Sequence, residues 1–227
     1  MLIKNELSRI RANIKDRQNR FAYFLMSKIC SHLVDEFYID KKSVMKIHDM
    51  TKNSRKTRIV LMPIYKSYCD PLVLHYISNF YDFEPGFIFG CFEDSPKLPF
   101  IDRFLKGNGH FLIKRDPRNS LSNKRSYSNQ DLDIMNYVNH SLLQEVLEHN
   151  VITTLFQNDE RIRSGKFSLP IYPEQSIQML IKAQRKMVAL KYDIKIVPVC
   201  VNYDRIFDQS YLATEMISGK FQDINMT

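Results

Sequence analysis

Short apolar runs alternate with longer stretches of helical periodicity along most of the chain. The apolar runs predict five strands, at 59–64, 86–92, 110–114, 151–156 and 194–201. Apolar residues spaced three or four positions apart predict helices between them, at 71–80, 132–148 and 176–190. Residues 41–56 predict a short helix and a charged link, and 99–105 predict a loop or a short helix. Strands alternating with helices of this length indicate a mostly parallel sheet covered by helices on both faces. We therefore expect a single α/β domain whose strand-to-helix turns meet at one edge of the sheet.

The first forty residues show a different pattern. Apolar side chains recur there at helical spacing, at Phe21, Phe24, Leu25, Ile29, Leu33 and Phe37, and five basic residues lie between Arg9 and Arg20. An amphipathic helix packed on the domain through this face accounts for the pattern. The alternative is a basic amphipathic segment lying on an anionic bilayer, and both interpretations can hold in part. We expect an N-terminal amphipathic helical segment over 1–40, the α/β domain over 41–220 and a tail over 221–227.

The net charge narrows the class of binding partner, and the cysteine content narrows the cellular compartment. A formal charge of +8, from 33 basic and 25 acidic residues, favours anionic partners: a phosphorylated small molecule, an acidic membrane surface or nucleic acid. The acidic residues are interspersed, and no basic stripe is interleaved with aromatics, so we expect no nucleic-acid partner. The four cysteines lie far apart without a CxxC pair, which favours a reducing, intracellular compartment and no metal site. No apolar run approaches the roughly 18 residues of a membrane span, and neither end reads as a targeting signal. The positive charge and the basic amphipathic segment predict an intracellular protein that associates peripherally with a membrane, in an organelle that the sequence does not specify.

Four segments near the ends of predicted strands carry clustered polar and charged residues. Residues 65–70 read Tyr-Lys-Ser-Tyr-Cys-Asp and 109–115 read Gly-His-Phe-Leu-Ile-Lys-Arg. Residues 156–166 read Phe-Gln-Asn-Asp-Glu-Arg-Ile-Arg-Ser-Gly-Lys and 197–205 read Val-Pro-Val-Cys-Val-Asn-Tyr-Asp-Arg. In order and spacing they resemble the four motif blocks of the glycerolipid acyltransferases, in the subgroup that acylates glycerol 3-phosphate or dihydroxyacetone phosphate. That subgroup's blocks read His-Arg-Ser-Tyr-x-Asp, Gly-x-Phe-Phe-Ile-Arg-Arg, Phe-x-Glu-Gly-Thr-Arg-Ser-Arg-Ser-Gly-Lys and Val-Pro-Ile-x-Ile-x-Tyr-Asp-Arg.

The resemblance implies a glycerol-3-phosphate acyltransferase-like fold and transfer of a fatty acyl group from acyl-CoA, as substrate rather than cofactor, to a hydroxyl. In the family's first block, the His acts as general base and the Asp orients it. This sequence has Tyr65 at the position of that His, while Asp70 remains. A phenol of pKa about 10 is a poor base at neutral pH, so we expect impaired activity.

Two histidines are candidate substitutes for the missing base, and one cysteine is a candidate nucleophile. His110, in the second block, is the better candidate base, although a structural role is the simpler interpretation. His75, five residues after Asp70, lies about 140° round a helix from it and is expected to face a neighbour or solvent. Cys69 has no partner histidine in the sequence and is expected to be a small buried residue.

The resemblance also implies a binding site for the acceptor's phosphate. Its expected ligands are the cations of the second and third blocks, namely Lys114, Arg115, Arg161, Arg163 and Lys166. The family's Glu-Gly in the third block is replaced by Asn158-Asp159, which can close a backbone approach that only glycine allows. Tyr203, Asp204 and Arg205 are interpreted as a structural cap without a catalytic role.

Two functions therefore stay open at this point. The first is acylation of glycerol 3-phosphate or dihydroxyacetone phosphate at the start of phospholipid or ether-lipid synthesis, impaired because Tyr65 replaces the histidine. The second is a catalytically silent homologue that binds lipid phosphate or a partner enzyme. The accessory region and long C-terminal extension of full-length relatives are missing, so we expect either a short paralogue or a partial gene product.

Overall fold

Seven helices and five strands alternate along the part of the chain that the structure describes. The computed structural model describes residues 12–53, 56–64, 66–67, 69–83, 86–90, 99–112, 129–156, 175–205 and 209–218. The elements are α1 (Asp16–Leu33), α2 (Lys41–Asn53), β1 (Thr57–Pro63), α3 (Asp70–Phe80), β2 (Phe87–Gly90), α4 (Pro99–Gly107), β3 (His110–Leu112), α5 (Asn129–His149), β4 (Ile152–Leu155), α6 (Gln175–Ala189), β5 (Asp193–Val199) and α7 (Gln209–Ser218).

The five strands form one parallel sheet in the order β3-β2-β4-β1-β5. Every strand pair in the described residues is parallel, with Ile59 opposite Ile152 and Pro63 opposite Val199 as examples of the register. β1 is buried along its whole length because it lies between two neighbours and under helices on both sides. The prediction of a single-domain α/β class with a mostly parallel sheet is confirmed, and all five predicted strands are present.

The core has two sides because side chains alternate across each strand. On one side Val60, Met62 and Phe89 pack against Leu143 of α5 and Met187 of α6. On the other side, Ile59 and Leu61 pack with Ile47 of α2, and Ile88 packs with Leu74 of α3. Helices therefore cover both faces, as the pattern predicts, and α3 lies on the face opposite α5 and α6.

Helix α1 packs on α3 and α4, but through a face that the sequence analysis did not select. The buried side chains are Ala22, Met26 and Cys30, four residues apart. Phe21, Phe24, Leu25 and Ile29 are instead exposed. The helix therefore packs on the domain, which is one of the two interpretations, but it does not pack through these four larger residues. Small and flexible side chains at 22, 26 and 30 let α1 approach its neighbours closely, which leaves the bulkier stripe outside.

No helix in the described residues is both long enough and apolar enough to cross a membrane.

Candidate functional site

The turn that joins β1 to α3 is organised by the carboxylate of Asp70. Asp70 is fully buried. Its Oδ2 accepts hydrogen bonds from the backbone N–H of Lys66 at 2.6 Å and from that of Ser67 at 2.9 Å. Asp70 is also the first residue of α3, where a negative charge interacts favourably with the unpaired N–H groups of the first helical turn. The carboxylate therefore closes the turn and begins the helix at the same time.

Tyr203, in the segment that follows β5, contacts this carboxylate. Its hydroxyl donates a hydrogen bond of 2.5 Å to Asp70 Oδ1. The contact forms because β1 and β5 are parallel neighbours, so the residues beyond Pro63 and Val199 leave the sheet at the same edge. The sequence predicts a structural cap at Tyr203 but does not indicate which group the cap contacts. Adjacency of the two strands was the missing information, and no single-sequence signal supplies it.

Lys66 lies at the exposed rim of the same edge. Its Nζ donates to Asn202 Oδ1 at 2.6 Å and lies 3.5 Å from Cys200 Sγ. A cation is thus held next to the Asp70–Tyr203 pair by the segment that follows β5.

Two histidines lie buried side by side on the α3 side of the sheet. His75 of α3 and His110 of β3 are both almost fully buried. Burial lowers the pKa of His75 to about 4. Burial, and then repulsion from His75, lower the pKa of His110 to about 3. Both rings are therefore neutral at physiological pH.

The placement of the histidines bears on their predicted roles. His75 faces a neighbour rather than solvent, which was one of the two expectations for it. His110 is enclosed by the fold, so a substrate hydroxyl has no direct approach to its ring in this arrangement. A role for His110 as general base stays a prediction, and its burial and lowered pKa weigh against it because a good base has a pKa near the working pH.

Gly109 shows why the second block begins with glycine. Its φ of +85° lies in the left-handed region, where a side chain is strained. A Cβ at this position would also lie 3.1 Å from Ile14 Cγ1. The glycine lets the chain turn from α4 into β3 under the segment that precedes α1.

Cys69 is half-buried, and its backbone N–H donates to Ser67 Oγ at 3.2 Å. This contact belongs to the turn itself, so Cys69 is placed as part of the loop rather than as a deeply buried residue. In the described part of the chain, no group of three or more metal-ligating side chains comes together.

Several predicted site residues lie outside the described residues. These are Tyr65, Lys114, Arg115, Arg161, Arg163 and Lys166, together with Asn158 and Asp159. The strands that precede them are described: β1 leads to Tyr65, β3 to Lys114 and β4 to the third block. Since these strands are parallel, they run toward one edge of the sheet. The roles of the undescribed residues stay predictions.

Comparisons with known proteins give distant relatives. No protein-family model matches the sequence. The chain is similar to dihydroxyacetone phosphate acyltransferases of Oryctolagus cuniculus at 23% identity, Bos taurus at 22% and Homo sapiens at 21%. Each match extends over 207 residues, which is 87% of this chain and 26% of the relative. This chain therefore spans about a quarter of the length of these relatives.

The similarity is weak but covers most of the chain. It supports an acyltransferase relationship. This support comes from the sequence and does not depend on the hydrogen bonds that join Asp70 to Lys66 and Tyr203.

Proposed function

We propose that the chain transfers a fatty acyl group from acyl-CoA to the hydroxyl of glycerol 3-phosphate or dihydroxyacetone phosphate. The observation that carries this proposal is the similarity to dihydroxyacetone phosphate acyltransferases over 87% of the chain. The names of those relatives supply the reaction class and one acceptor. The resemblance of the four sequence blocks supplies the other acceptor and the acyl donor.

The sheet topology supports a shared site for the four blocks. The first and third blocks follow β1 and β4, while the second contains β3 and the fourth contains the end of β5, and both continue beyond those strands. Ligands of open α/β sheets bind outside the carboxyl ends of the strands. We assign the cations of the second and third blocks to the acceptor's phosphate, because guanidinium groups bind phosphate oxygens bidentately. The proposed ligands are Lys114, Arg115, Arg161, Arg163 and Lys166.

The proposed activity is impaired by the residue at position 65. A neutral phenol accepts a proton poorly, and loss of a general base typically costs on the order of 10²–10⁴ in rate. Asp70 would orient the missing imidazole. In this chain its carboxylate accepts hydrogen bonds from Lys66, Ser67 and Tyr203.

The same hydrogen bonds favour a second candidate function. A carboxylate bound by two backbone N–H groups and a phenol stabilises the turn whether or not catalysis occurs. A catalytically silent homologue would keep Asp70 for this structural reason and would bind lipid phosphate, or a partner enzyme, through the cations.

An acyl-transfer assay separates the two candidates. We expect purified chain to transfer label slowly from acyl-CoA to one of the two acceptors, and Tyr65→His to raise the rate by about 10²-fold or more. Adding Asp70→Asn to Tyr65→His should remove the gain, because the new imidazole would lose its orienting carboxylate. Tyr137→His, at an exposed position on α5, is the matched control and should leave the rate unchanged.

No transfer by either the parent or Tyr65→His would contradict the enzymatic proposal. The silent candidate would then predict that glycerol 3-phosphate raises the midpoint of thermal unfolding, since a ligand that binds only the folded state stabilises it. Arg161→Gln with Arg163→Gln should abolish that increase. Absence of both transfer and stabilisation would contradict both candidates.

A further inference from the structure

Helix α1 has two apolar faces, of which one is covered by other parts of the chain that the structure describes. Ala22, Met26 and Cys30 are buried toward α3 and α4. Tyr23, beside this buried face, stacks on Tyr76 of α3 with ring centroids 5.4 Å apart. These contacts fix the orientation of α1 on the domain. The outward face is therefore a constant feature of the fold rather than the result of a loosely attached helix.

The outward face carries a stripe of large apolar side chains. Phe21, Phe24, Leu25 and Ile29 are between 38% and 57% exposed, and they follow the i, i+3, i+4, i+8 spacing of one helical face. A contiguous exposed group of this kind marks an interaction surface more often than an isolated apolar residue does.

Basic side chains are interspersed with that stripe. Arg17, Arg20 and Lys28 are exposed on the same helix, and Lys28 Nζ lies 5.9 Å from the centre of the Phe24 ring. The one acidic residue in α1 is Asp16, its first residue. A face that combines phenylalanine and leucine with several cations is typical of helices that lie on anionic bilayers.

We propose that this face of α1 docks on an anionic lipid bilayer. The helix lies in the plane of the surface, with its rings and branched side chains at the boundary between headgroups and acyl chains. Arg17, Arg20 and Lys28 extend along this layer to the lipid phosphates. The bilayer is preferred to a second copy of the chain because a copy would bring like charges together.

Helix α1 also packs on α3, the helix whose first residue is Asp70. The docking inference itself does not depend on acyl transfer.

Vesicle co-sedimentation of the full chain tests the proposal without any substrate. We expect binding to vesicles of phosphatidylcholine with phosphatidylserine, and weaker binding to phosphatidylcholine alone or at high salt. Phe21→Ser with Phe24→Ser should lower the partition coefficient at least about tenfold. Ile181→Ser with Val188→Ser is the matched control, since these α6 residues are 54% and 64% exposed on the opposite side of the sheet. It should change binding less than about twofold.

The contribution of charge is tested separately. Replacing Arg17, Arg20 and Lys28 by glutamine should lower binding to the phosphatidylserine vesicles by about 100-fold, at about 1 kcal/mol for each cation. Binding to phosphatidylcholine alone should stay unchanged. Circular dichroism checks that every variant is folded. Three outcomes would overturn the proposal. The α6 control could lose as much vesicle binding as Phe21→Ser with Phe24→Ser, or the parent could fail to bind. The parent could also be a dimer in solution that Phe21→Ser with Phe24→Ser converts to a monomer.

Discussion

At the scale of single residues, Asp70 is where two distant parts of the chain are joined. Its two carboxylate oxygens accept hydrogen bonds from the turn at Lys66 and Ser67 and from Tyr203, which is 133 positions away. A hydrogen bond to a charged acceptor contributes more than one between neutral groups, about 1.5–3 kcal/mol. Asp70 therefore has a structural role that is independent of any catalytic one.

Removing the Tyr203 hydroxyl tests this role. We expect Tyr203→Phe to lower the free energy of unfolding by about 1.5–3 kcal/mol, because Asp70 Oδ1 loses its phenol donor inside the protein. Urea denaturation measures the change. Tyr38→Phe is the matched control, since the exposed Tyr38 hydroxyl donates only to Glu36, and it should cost less than about 0.5 kcal/mol. Equal effects of the two variants would contradict a structural role for the Asp70–Tyr203 bond.

At the scale of elements, Arg58 attaches the end of α5 to strand β1. Its Nε donates to the carbonyl of Leu147 at 2.7 Å, and its Nη2 donates to that of Glu148 at 3.0 Å. The guanidinium also lies 3.8 Å from the centre of the Tyr192 ring. Carbonyls of the last helical turn have no intrahelical donors and carry partial negative charge. A buried arginine in a strand is thus explained by the helix end that it caps.

Truncating this arginine should loosen the contact between α5 and the sheet. We expect Arg58→Met to lower the free energy of unfolding by about 3 kcal/mol, because the buried carbonyl of Leu147 and the part-buried carbonyl of Glu148 lose charged donors while the apolar stem is kept. Arg58→Lys should recover only part of the loss, since one ammonium cannot reproduce the fork and the ring contact. Arg185→Met, at an exposed position on α6, controls for removal of a charge. A cost near zero for Arg58→Met would show that the cap contributes no net stability.

At the scale of the whole molecule, the buried histidine pair couples folding to pH. His75 and His110 have folded-state pKa values of about 4 and about 3, below the ordinary value of 6.5. Between about pH 6.5 and 4 the unfolded chain therefore binds more protons than the folded chain. The contribution of the two histidines to the free energy of unfolding is fully present above pH 6.5. It decreases as pH falls, by up to about 1.4 kcal/mol per pH unit for each histidine.

Replacing one member of the pair should reduce this dependence. We expect His75→Leu to change stability little at pH 7 but to flatten the decrease between pH 6.5 and 4.5 by about half. Urea denaturation at several pH values measures both effects. His32→Gln, at an exposed position on α1, is the control and should keep the parent's slope. An unchanged slope in His75→Leu would mean that the histidines do not cause the acid sensitivity.

The sequence by itself determined the class of fold and the order of its elements. Apolar runs such as 59–64 and 151–156 predicted strands because a strand buried on both faces must be apolar almost throughout, and the helices between them required a parallel sheet. The four blocks indicated a relationship to acyltransferases that the distant relatives support. These properties are local, or depend only on order along the chain, so no contact had to be known.

Tertiary structure alone decided which surfaces and side chains meet. The same helical periodicity fits either face of α1, and close packing selected Ala22, Met26 and Cys30 for the inside. Tyr203 meets Asp70 only because β5 pairs with β1. Arg58 and His110 are buried only because strands carry them under helices, where their partners come from distant positions. Contacts of this kind depend on strand order and packing, which a sequence pattern with a period of two or 3.6 residues does not encode.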